Sequence, residues 1–358
     1  MATLDINNES VVFSRHEFLY TEPGIAIPVI VVVAVAALIG TFGNILILLA
    51  VITQKSLHTI ESVFIVNLAC SDMYVTTFAD PLSLTAKLEG EQFFNSIPGL
   101  CRAVGSMCTI SCVNSLMSIA AMSFNRFFFI CHNKYYKTVF TVRNCIIMCA
   151  CFYSIGLILV LLNLGDIGGH SFDRKSLECI WDRMATYPYT VVFSIVLVWV
   201  PIIITGASYL KMFLHVRSVR AKVHQTRTTN GVANGPTRTP SFQLAKTLFV
   251  IYIVFSVCWI PYALLIVLDK DNTVSHELHV GIVVWAHLHP SLNWLVYYYT
   301  NKKFHRAFLS LLCINKCCPS AVVGDATMVS ETRMQPSTIA VSGSNGKKMK
   351  EIKESSGI

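Results

Sequence analysis

The residues that could carry chemistry in this chain are single polar groups set in long apolar segments. Arg126 ends a 23-residue run, 103–125, that contains no charged side chain. A guanidinium at that place must reach water, a lipid phosphate or a protein partner. Asp72 lies within a second apolar run, and a carboxylate in a medium of low dielectric constant requires a cation or a proton. What these two groups contact decides what the protein does.

Motifs for covalent chemistry are missing from the apolar segments. They contain no HExxH motif, no GxSxG motif and no paired aspartates on neighbouring segments, which argues against an intramembrane hydrolase. A transporter or channel would need charged pairs, broken helices or a repeat at the membrane midplane. Only Asp72 and Asp80 interrupt the apolar runs, and no repeat is visible. We predict that the protein is not an enzyme, with a membrane transporter as a much weaker alternative.

The composition is that of a protein that crosses the membrane several times. Of the 358 residues, 54% are hydrophobic and 13% are charged, whereas a soluble domain carries about 25% charged residues. Mean hydropathy is +0.57. Seven apolar runs reach the roughly 20 residues that span the hydrocarbon core. These runs are 23–54, 62–86, 103–125, 144–165, 184–210, 247–268 and 278–301.

Charge predicts the orientation of these spans. The segments 126–143 and 211–246 carry bases and no acid, whereas the N-terminus and the alternate loops carry 13 acids against 7 bases. By the positive-inside rule the basic loops are cytoplasmic, so the N-terminus is extracellular. The net charge of +8 therefore indicates topology and attraction to anionic membrane lipid, not nucleic-acid binding. Asn8 begins a glycosylation sequon on the predicted outer side.

Cysteine usage also divides by compartment. Cys101 and Cys179 lie in predicted outer segments, where oxidation is permitted, and we pair them as a disulfide. Cys313, Cys317 and Cys318 follow the last span among basic and apolar residues, which suits palmitoylation.

The chain divides into four predicted regions. Residues 1–22 form an extracellular tail, 23–301 a bundle of seven helices, 302–314 an amphipathic helix on the membrane surface, and 315–358 a disordered cytoplasmic tail. The predicted fold class is an all-α membrane protein, a seven-transmembrane helix bundle with a short amphipathic eighth helix.

The polar residues of the spans occur in the order found in one family. The set is Asn44, the Leu-Ala-x-x-Asp segment that ends at Asp72, Cys101, Arg126, Pro201, Tyr209, the Cys-Trp-x-Pro segment around Trp259, Asn293 and Tyr297. With this set the chain resembles the rhodopsin-like (class A) G-protein-coupled receptors from about residue 25 to 310. The resemblance implies a plasma-membrane receptor that activates a heterotrimeric G protein.

A narrower resemblance is to the melatonin receptors. Asn125, Arg126 and an aromatic residue are followed by Ile130-Cys131-His132, and Leu162-Asn163-Leu164 ends span four, as in that group. This implies a melatonin-like or other planar aromatic ligand and an inhibitory (Gi/o) G protein. An unrelated peptide or lipid ligand is the alternative.

Candidate ligand contacts follow from the same comparison. Cys108 stands where amine receptors have an aspartate, which argues against a cationic amine held by a salt bridge. Trp181, Arg183 and Leu197 replace family ligand contacts, and His287 is either a ligand contact or a satisfied core residue. The full candidate set is Cys108, Thr109, Cys112, Asn163, Trp181, Arg183, Leu197, Trp259 and His287.

The resemblance also assigns a G-protein switch and an ion pocket. Asn125, Arg126, Phe127, Tyr209, Asn293 and Tyr297 form the switch, and Asp72, Ser115 and Asn293 match the sodium pocket; no other metal site is predicted. Because Asn125 replaces the usual acid and the start of span six offers none, we expect only neutral hydrogen bonds to restrain Arg126, and hence raised basal activity. Pro290 predicts a kink one turn outward of the usual position.

The C-terminal segment suggests further partners. Ser356 with the terminal Ile358 fits a PDZ groove. Hydroxyl residues of the tail are candidate sites for receptor kinases and arrestin recruitment.

Overall fold

The computed structural model describes residues 14–165, 169–230 and 240–312. Asn8, Cys313, Cys317, Cys318 and the C-terminal tail lie outside these ranges, so the predictions made for them stay predictions.

Seven helical spans form one bundle, as the sequence predicts. Spans two and five each contain one turn of π-helix, at Val75–Ala79 and Ile195–Trp199. The helices of the spans, in order, are Pro23–Thr53, Ile60–Tyr74 with Asp80–Ser96, Leu100–Cys131, Val142–Leu164, Tyr187–Ser194 with Val200–Asn230, Pro240–Leu268, and His276–His287 with His289–Thr300. Shorter helices are Glu17–Thr21, Lys55–Leu57 and Asn133–Val139.

Span seven is divided into two segments of 12 residues each. Six helical segments of the described ranges are long and apolar enough to cross a membrane. Span seven is not among them because each of its two segments is too short on its own. The first segment ends at His287, and Pro290 lies in the first turn of the second, where its missing N–H is not needed. The interruption at Leu288 lies two residues before Pro290, the residue at which the kink is predicted.

Span three lies at the centre of the bundle and packs against spans two, four, five and six. Its inward positions are buried, whereas apolar side chains of the outer spans face outward. Leu38 is 74% exposed and Ile203 is 64% exposed. Such outward apolar surface suits a hydrocarbon environment rather than water.

A β-hairpin that the sequence pattern does not reveal covers one end of the bundle. Strand β1 (His170–Asp173) pairs in antiparallel register with β2 (Glu178–Trp181). A disulfide joins Cys101 at the start of span three to Cys179 in β2, so the predicted pairing is confirmed. We call this the disulfide end of the bundle and the opposite end the Arg126 end.

The amphipathic eighth helix is present as Lys302–Leu311. The Asn301 side chain caps it by accepting hydrogen bonds from the backbone N–H groups of Lys303 and Phe304. Phe304 and Phe308 are buried against the bundle. The apolar face of the helix that their spacing predicts is therefore the face that packs against the bundle.

Close approach of span one to span seven depends on Gly43. A methyl group on Gly43 would lie 1.9 Å from Cδ1 of Trp294, which is far inside van der Waals contact. By contrast, a methyl group on Gly281, in the first half of span seven, would meet no described heavy atom within 4 Å.

We predict that Gly43→Ala destabilises the protein and that the matched change Gly281→Ala does not. The added methyl forces spans one and seven apart, at a cost of about 1–3 kcal/mol. In Gly281→Ala the same change meets open space and improves helix propensity. Thermal unfolding of each purified variant in detergent measures both effects. Equal unfolding midpoints for the two variants would contradict this packing.

Candidate functional site

Arg126 is paired with an acid from another helix. Its Nη2 atom lies 2.5 Å from Oε1 of Glu61, and the two side chains are 5% and 7% exposed. Glu61 lies in the first turn of span two, which begins with a capping box between Thr59 and Ser62. The prediction that Arg126 lacks an acidic partner is wrong, because the acid comes from span two rather than from position 125 or span six.

A tyrosine of the loop after span three completes this pair. The hydroxyl of Tyr136 donates to Oε1 of Glu61 at 3.1 Å, and the Asn125 amide donates to the Tyr136 oxygen at 3.5 Å. The Arg126 Cζ atom also lies 5.5 Å from the centre of the Phe129 ring. Charge, hydrogen bonding and ring contact together fix the guanidinium at this end. We call Glu61, Asn125, Arg126 and Tyr136 the arginine lock.

A cavity of about 390 Å³ opens beside the lock. Its walls are Glu61, Arg126, Phe129 and Tyr136, together with the start of the amphipathic helix. Two charged groups that are buried from bulk solvent thus face an opening at the Arg126 end.

The other candidate switch residues surround the lock without joining it. The Lys211 ammonium nitrogen lies over the Phe127 ring, 5.8 Å from the centre of that ring. Tyr209 of span five stacks on Tyr252 of span six, with 5.9 Å between the ring centres. Tyr297 is fully buried and packs on the Phe304 ring at 4.7 Å. Aromatic contacts therefore link span five to span six, and span seven to the amphipathic helix.

The three predicted sodium ligands are brought together at the bundle centre. The Ser115 hydroxyl donates to Oδ1 of Asp72 at 2.8 Å, and the Asn293 amide donates to Oδ2 at 2.7 Å. Oδ1 of Asn293 is buried and has no donor among the described residues. Carboxylate, hydroxyl and amide oxygens are the donors that a hard cation prefers, so these residues fit sodium. His289 lies 3.5 Å from Asn293.

A small cavity lies inside the bundle toward the disulfide end. Its volume is about 30 Å³, and Ile180 and Trp181 of the hairpin belong to its lining. The predicted ligand residues that line it are Cys108, Thr109, Cys112, Trp181, Leu197, Trp259 and His287. Most of the predicted ligand contacts therefore share one cavity.

Four aromatic rings belong to the cavity wall. Trp181 lies 4.1 Å from Phe193 and 5.8 Å from Tyr262, measured between ring centres. Trp259 lies 6.0 Å from Tyr262. Phe193 and Tyr262, which the sequence analysis did not single out, thus join Trp181 and Trp259 in an apolar enclosure that suits a planar ring.

Two predicted ligand residues lie outside this lining. The Asn163 amide donates to the Tyr189 hydroxyl at 2.7 Å, and it holds span four against span five. The Arg183 guanidinium donates to Oδ2 of Asp269 at 3.2 Å. Burial would raise the pKa of Asp269, but backbone N–H donation and its cationic neighbours lower it to about 2. Arg183 therefore ties the hairpin to the loop before span seven.

Charged side chains that the sequence analysis left unpaired meet beside the cavity. Lys87 Nζ lies 2.9 Å from Oε1 of Glu178 in the hairpin. His287 Nδ1 lies 2.9 Å from Oδ1 of Asp80, and its Nε2 lies 3.4 Å from Oε2 of Glu178. His287 is thus both a cavity residue and a paired one. We call Asp80, Lys87, Glu178 and His287 the ionic cluster.

Comparison with known proteins agrees with this arrangement. The family described as "7 transmembrane receptor (rhodopsin family)" matches residues 43–297. Squid rhodopsin has a similar fold, with a TM-score of 0.67 and 20% identity over 89% of this chain and 92% of that one.

Curated relatives are more similar in sequence. Melatonin receptor type 1B-B of Danio rerio is 26% identical over 297 residues, covering 81% of this chain and 83% of that protein. Melatonin receptor type 1A of Mus musculus is 26% identical over 281 residues, covering 76% and 77%. With its seven spans, buried arginine and matched sequence, the chain belongs to the rhodopsin family of seven-transmembrane receptors and is related to the melatonin receptors.

Proposed function

We propose that this receptor binds a small aromatic molecule from outside the cell and promotes nucleotide exchange on an inhibitory (Gi/o) heterotrimeric G protein. In this proposal the Arg126 end faces the cytoplasm and the N-terminus is extracellular, as the distribution of bases predicts. The observation that carries the proposal is the arginine lock, a buried ion pair beside a cavity that opens at the Arg126 end. The Ile130-Cys131-His132 segment shared with melatonin receptors supports the choice of Gi/o.

The arginine lock stabilises a resting state, and ligand binding can shift the conformational equilibrium away from it. Removing one partner of a buried ion pair costs about 3–5 kcal/mol because the other charge stays buried. A G protein that offers Arg126 new hydrogen-bond acceptors would replace Glu61 as its partner. Ligand binding needs only to favour the conformation in which this exchange of partners is possible.

The aromatic cavity supplies the site at which a ligand can act. Trp259 and Tyr262 belong to span six, and Trp181 belongs to the hairpin. A planar ring inserted among them must displace Trp181 or move span six, since the closed cavity holds about 30 Å³. Either change alters the packing of span six, whose opposite end contacts Tyr209 through Tyr252.

Further contacts belong to the same proposal. Asp72, Ser115 and Asn293 would hold a sodium ion, which would balance the buried carboxylate in the resting receptor. Receptor kinases, arrestin and a PDZ protein are proposed partners of the C-terminal tail.

We predict that Arg126→Ala abolishes agonist-driven exchange. The variant removes the charge that the G protein would contact and leaves the ligand cavity intact. GTPγS binding in membranes that contain the receptor and Gi measures the effect. The control is Arg15→Ala, which removes an arginine whose ion pair with Glu89 is exposed. Exchange in Arg126→Ala that equals the control would contradict the assignment of Arg126.

We also predict that Glu61→Gln raises exchange in the absence of ligand several-fold above wild type. The substitution keeps the shape of the side chain and removes the charge that holds Arg126. The resting state therefore loses more stability than the active state does. Tyr136→Phe, which removes one hydrogen bond of about 0.5–1.5 kcal/mol, should give a smaller rise.

The matched control for Glu61→Gln is Glu89→Gln, an acid in an exposed pair with Arg15. Its basal exchange should equal that of wild type. Basal exchange in Glu61→Gln at or below the wild-type level would show that Glu61 does not restrain the receptor.

A further inference from the structure

The ionic cluster beside the ligand cavity has a charge pattern that selects a ligand class. We propose that Asp80 and Glu178 bind the protonated amine of an aromatic ligand whose ring occupies the cavity lined by Trp181 and Trp259. This rests on the proposed function, which places the ligand in that cavity, and it names the group that the cavity recognises.

Charge within the cluster follows from geometry. Asp80, Lys87 and Glu178 are each at most 3% exposed, and the His287 side chain is 14% exposed. Each ring nitrogen of His287 faces a carboxylate oxygen. An imidazole between two ionised carboxylates is stabilised as the imidazolium, which carries an N–H on each ring nitrogen. Two buried carboxylates are thus balanced by two buried cations.

The donors of the cluster are fully used. Lys87 Nζ contacts the Ser83 hydroxyl at 2.9 Å, Oε1 of Glu178 at 2.9 Å and the Leu177 carbonyl at 3.5 Å. An ammonium has three N–H groups, so Lys87 has no donor left for a ligand. His287 Nδ1 is hydrogen-bonded to Asp80, and its Nε2 makes the 3.4 Å ion-pair contact with Glu178. An anionic ligand would therefore meet no free donor in the cluster.

The acceptors, in contrast, are not fully used. Oδ2 of Asp80 is buried and has no hydrogen-bond partner among the described residues. Among the described residues, the contact recorded for Oε2 of Glu178 is the 3.4 Å ion pair with His287. Burial would raise the pKa of Glu178, but Lys87 and His287 lower it below its usual value, so this carboxyl is ionised. Buried carboxylate oxygens without donors attract a cationic donor, and a protonated amine is one.

The cluster also lies where a side arm of the ligand would reach. His287 and Cys108 line both the aromatic cavity and a smaller one of about 10 Å³, whose wall includes Glu178 and Ser83. A ring held between Trp181 and Trp259 would direct a short arm past Cys108 toward the carboxylates. Because position 108 carries a cysteine rather than an acid, the sequence predicts a ligand without a salt-bridged amine. Span two and the hairpin supply acids in its place.

Charge balance can be kept when the amine binds. His287 can release its proton to bulk water as the ammonium arrives, so that the number of buried charges does not change. The titratable groups that act on its ring are Asp80 from span two, Cys108 from span three and Glu178 from the hairpin, and Lys87 acts on Asp80.

The test compares matched amines and amides on the purified full-length receptor. The probes are tryptamine and phenethylamine, each with its neutral N-acetyl form, and the readout is the ligand-dependent shift of the thermal-unfolding midpoint. The amines should raise the midpoint of wild type at concentrations where the amides do not. Amides that bind as tightly as the amines, or amines that produce no shift, would overturn the proposal.

Variants then locate the amine. Asp80→Asn and Glu178→Gln should each weaken tryptamine binding at least about tenfold, which corresponds to about 1.4 kcal/mol. Asp271→Asn, which removes an exposed acid of the loop before span seven, should bind as wild type does. Should Asp80→Asn fail to fold, Glu178→Gln and the comparison of amine with amide on wild type decide independently. Wild-type affinity in a folded Asp80→Asn or Glu178→Gln variant would refute the assignment.

Failure of this inference can be told apart from failure of the proposed function. An amine that binds through Asp80 but drives no GTPγS exchange contradicts the proposed function and leaves the amine site standing. Exchange driven by N-acetyltryptamine, with no binding of tryptamine, supports the proposed function and removes the amine site.

Discussion

A buried guanidinium must have a buried counter-ion, and in this receptor the pair of Arg126 with Glu61 meets that requirement. Much of the Arg126 end follows from it. The loop helix Asn133–Val139 brings Tyr136 onto the same carboxylate, and span two begins with a capping box that holds Glu61 in its first turn. At this end spans five and six contact each other through Tyr209 and Tyr252, and spans six and seven through a hydrogen bond from Thr300 to Thr247. Neither contact is an ion pair, so a shift of these spans that breaks the two contacts separates no paired charges.

Span two connects the polar sites of the bundle. It carries Glu61 of the arginine lock, Asp72 at the centre, and Asp80 with Lys87 of the ionic cluster. The π-helical turn Val75–Ala79 lies between Asp72 and Asp80, and one extra residue in a turn rotates all that follows it. Asp80 therefore faces span seven and His287. A ligand cation at Asp80 would act on the helix whose other end restrains Arg126, which gives the two ends a physical connection.

The sequence predicts the fold well because its signals are long and local. Each of these signals can be read within one segment of the chain: the apolar runs, the positive-inside bias, and the spacing of Phe304 and Phe308. It also predicts most of the cavity residues, since these follow a known family pattern. It misses the pairing of Glu61 with Arg126 and the whole ionic cluster. These pairs join residues 65 to 207 positions apart, and Lys87, Glu178 and Glu61 look in sequence like ordinary charges at span ends. The hairpin is missed because four-residue strands leave little periodicity.

The central claim is that Glu61 holds the Arg126 end closed. The most direct measurement is the ligand-free distance between the Arg126 ends of spans two and six, from spin labels at the exposed positions Lys55 and Lys246 on a background with reactive cysteines replaced. We predict one short distance in wild type and an added longer distance in Glu61→Gln. Identical distance distributions in the two proteins would contradict it.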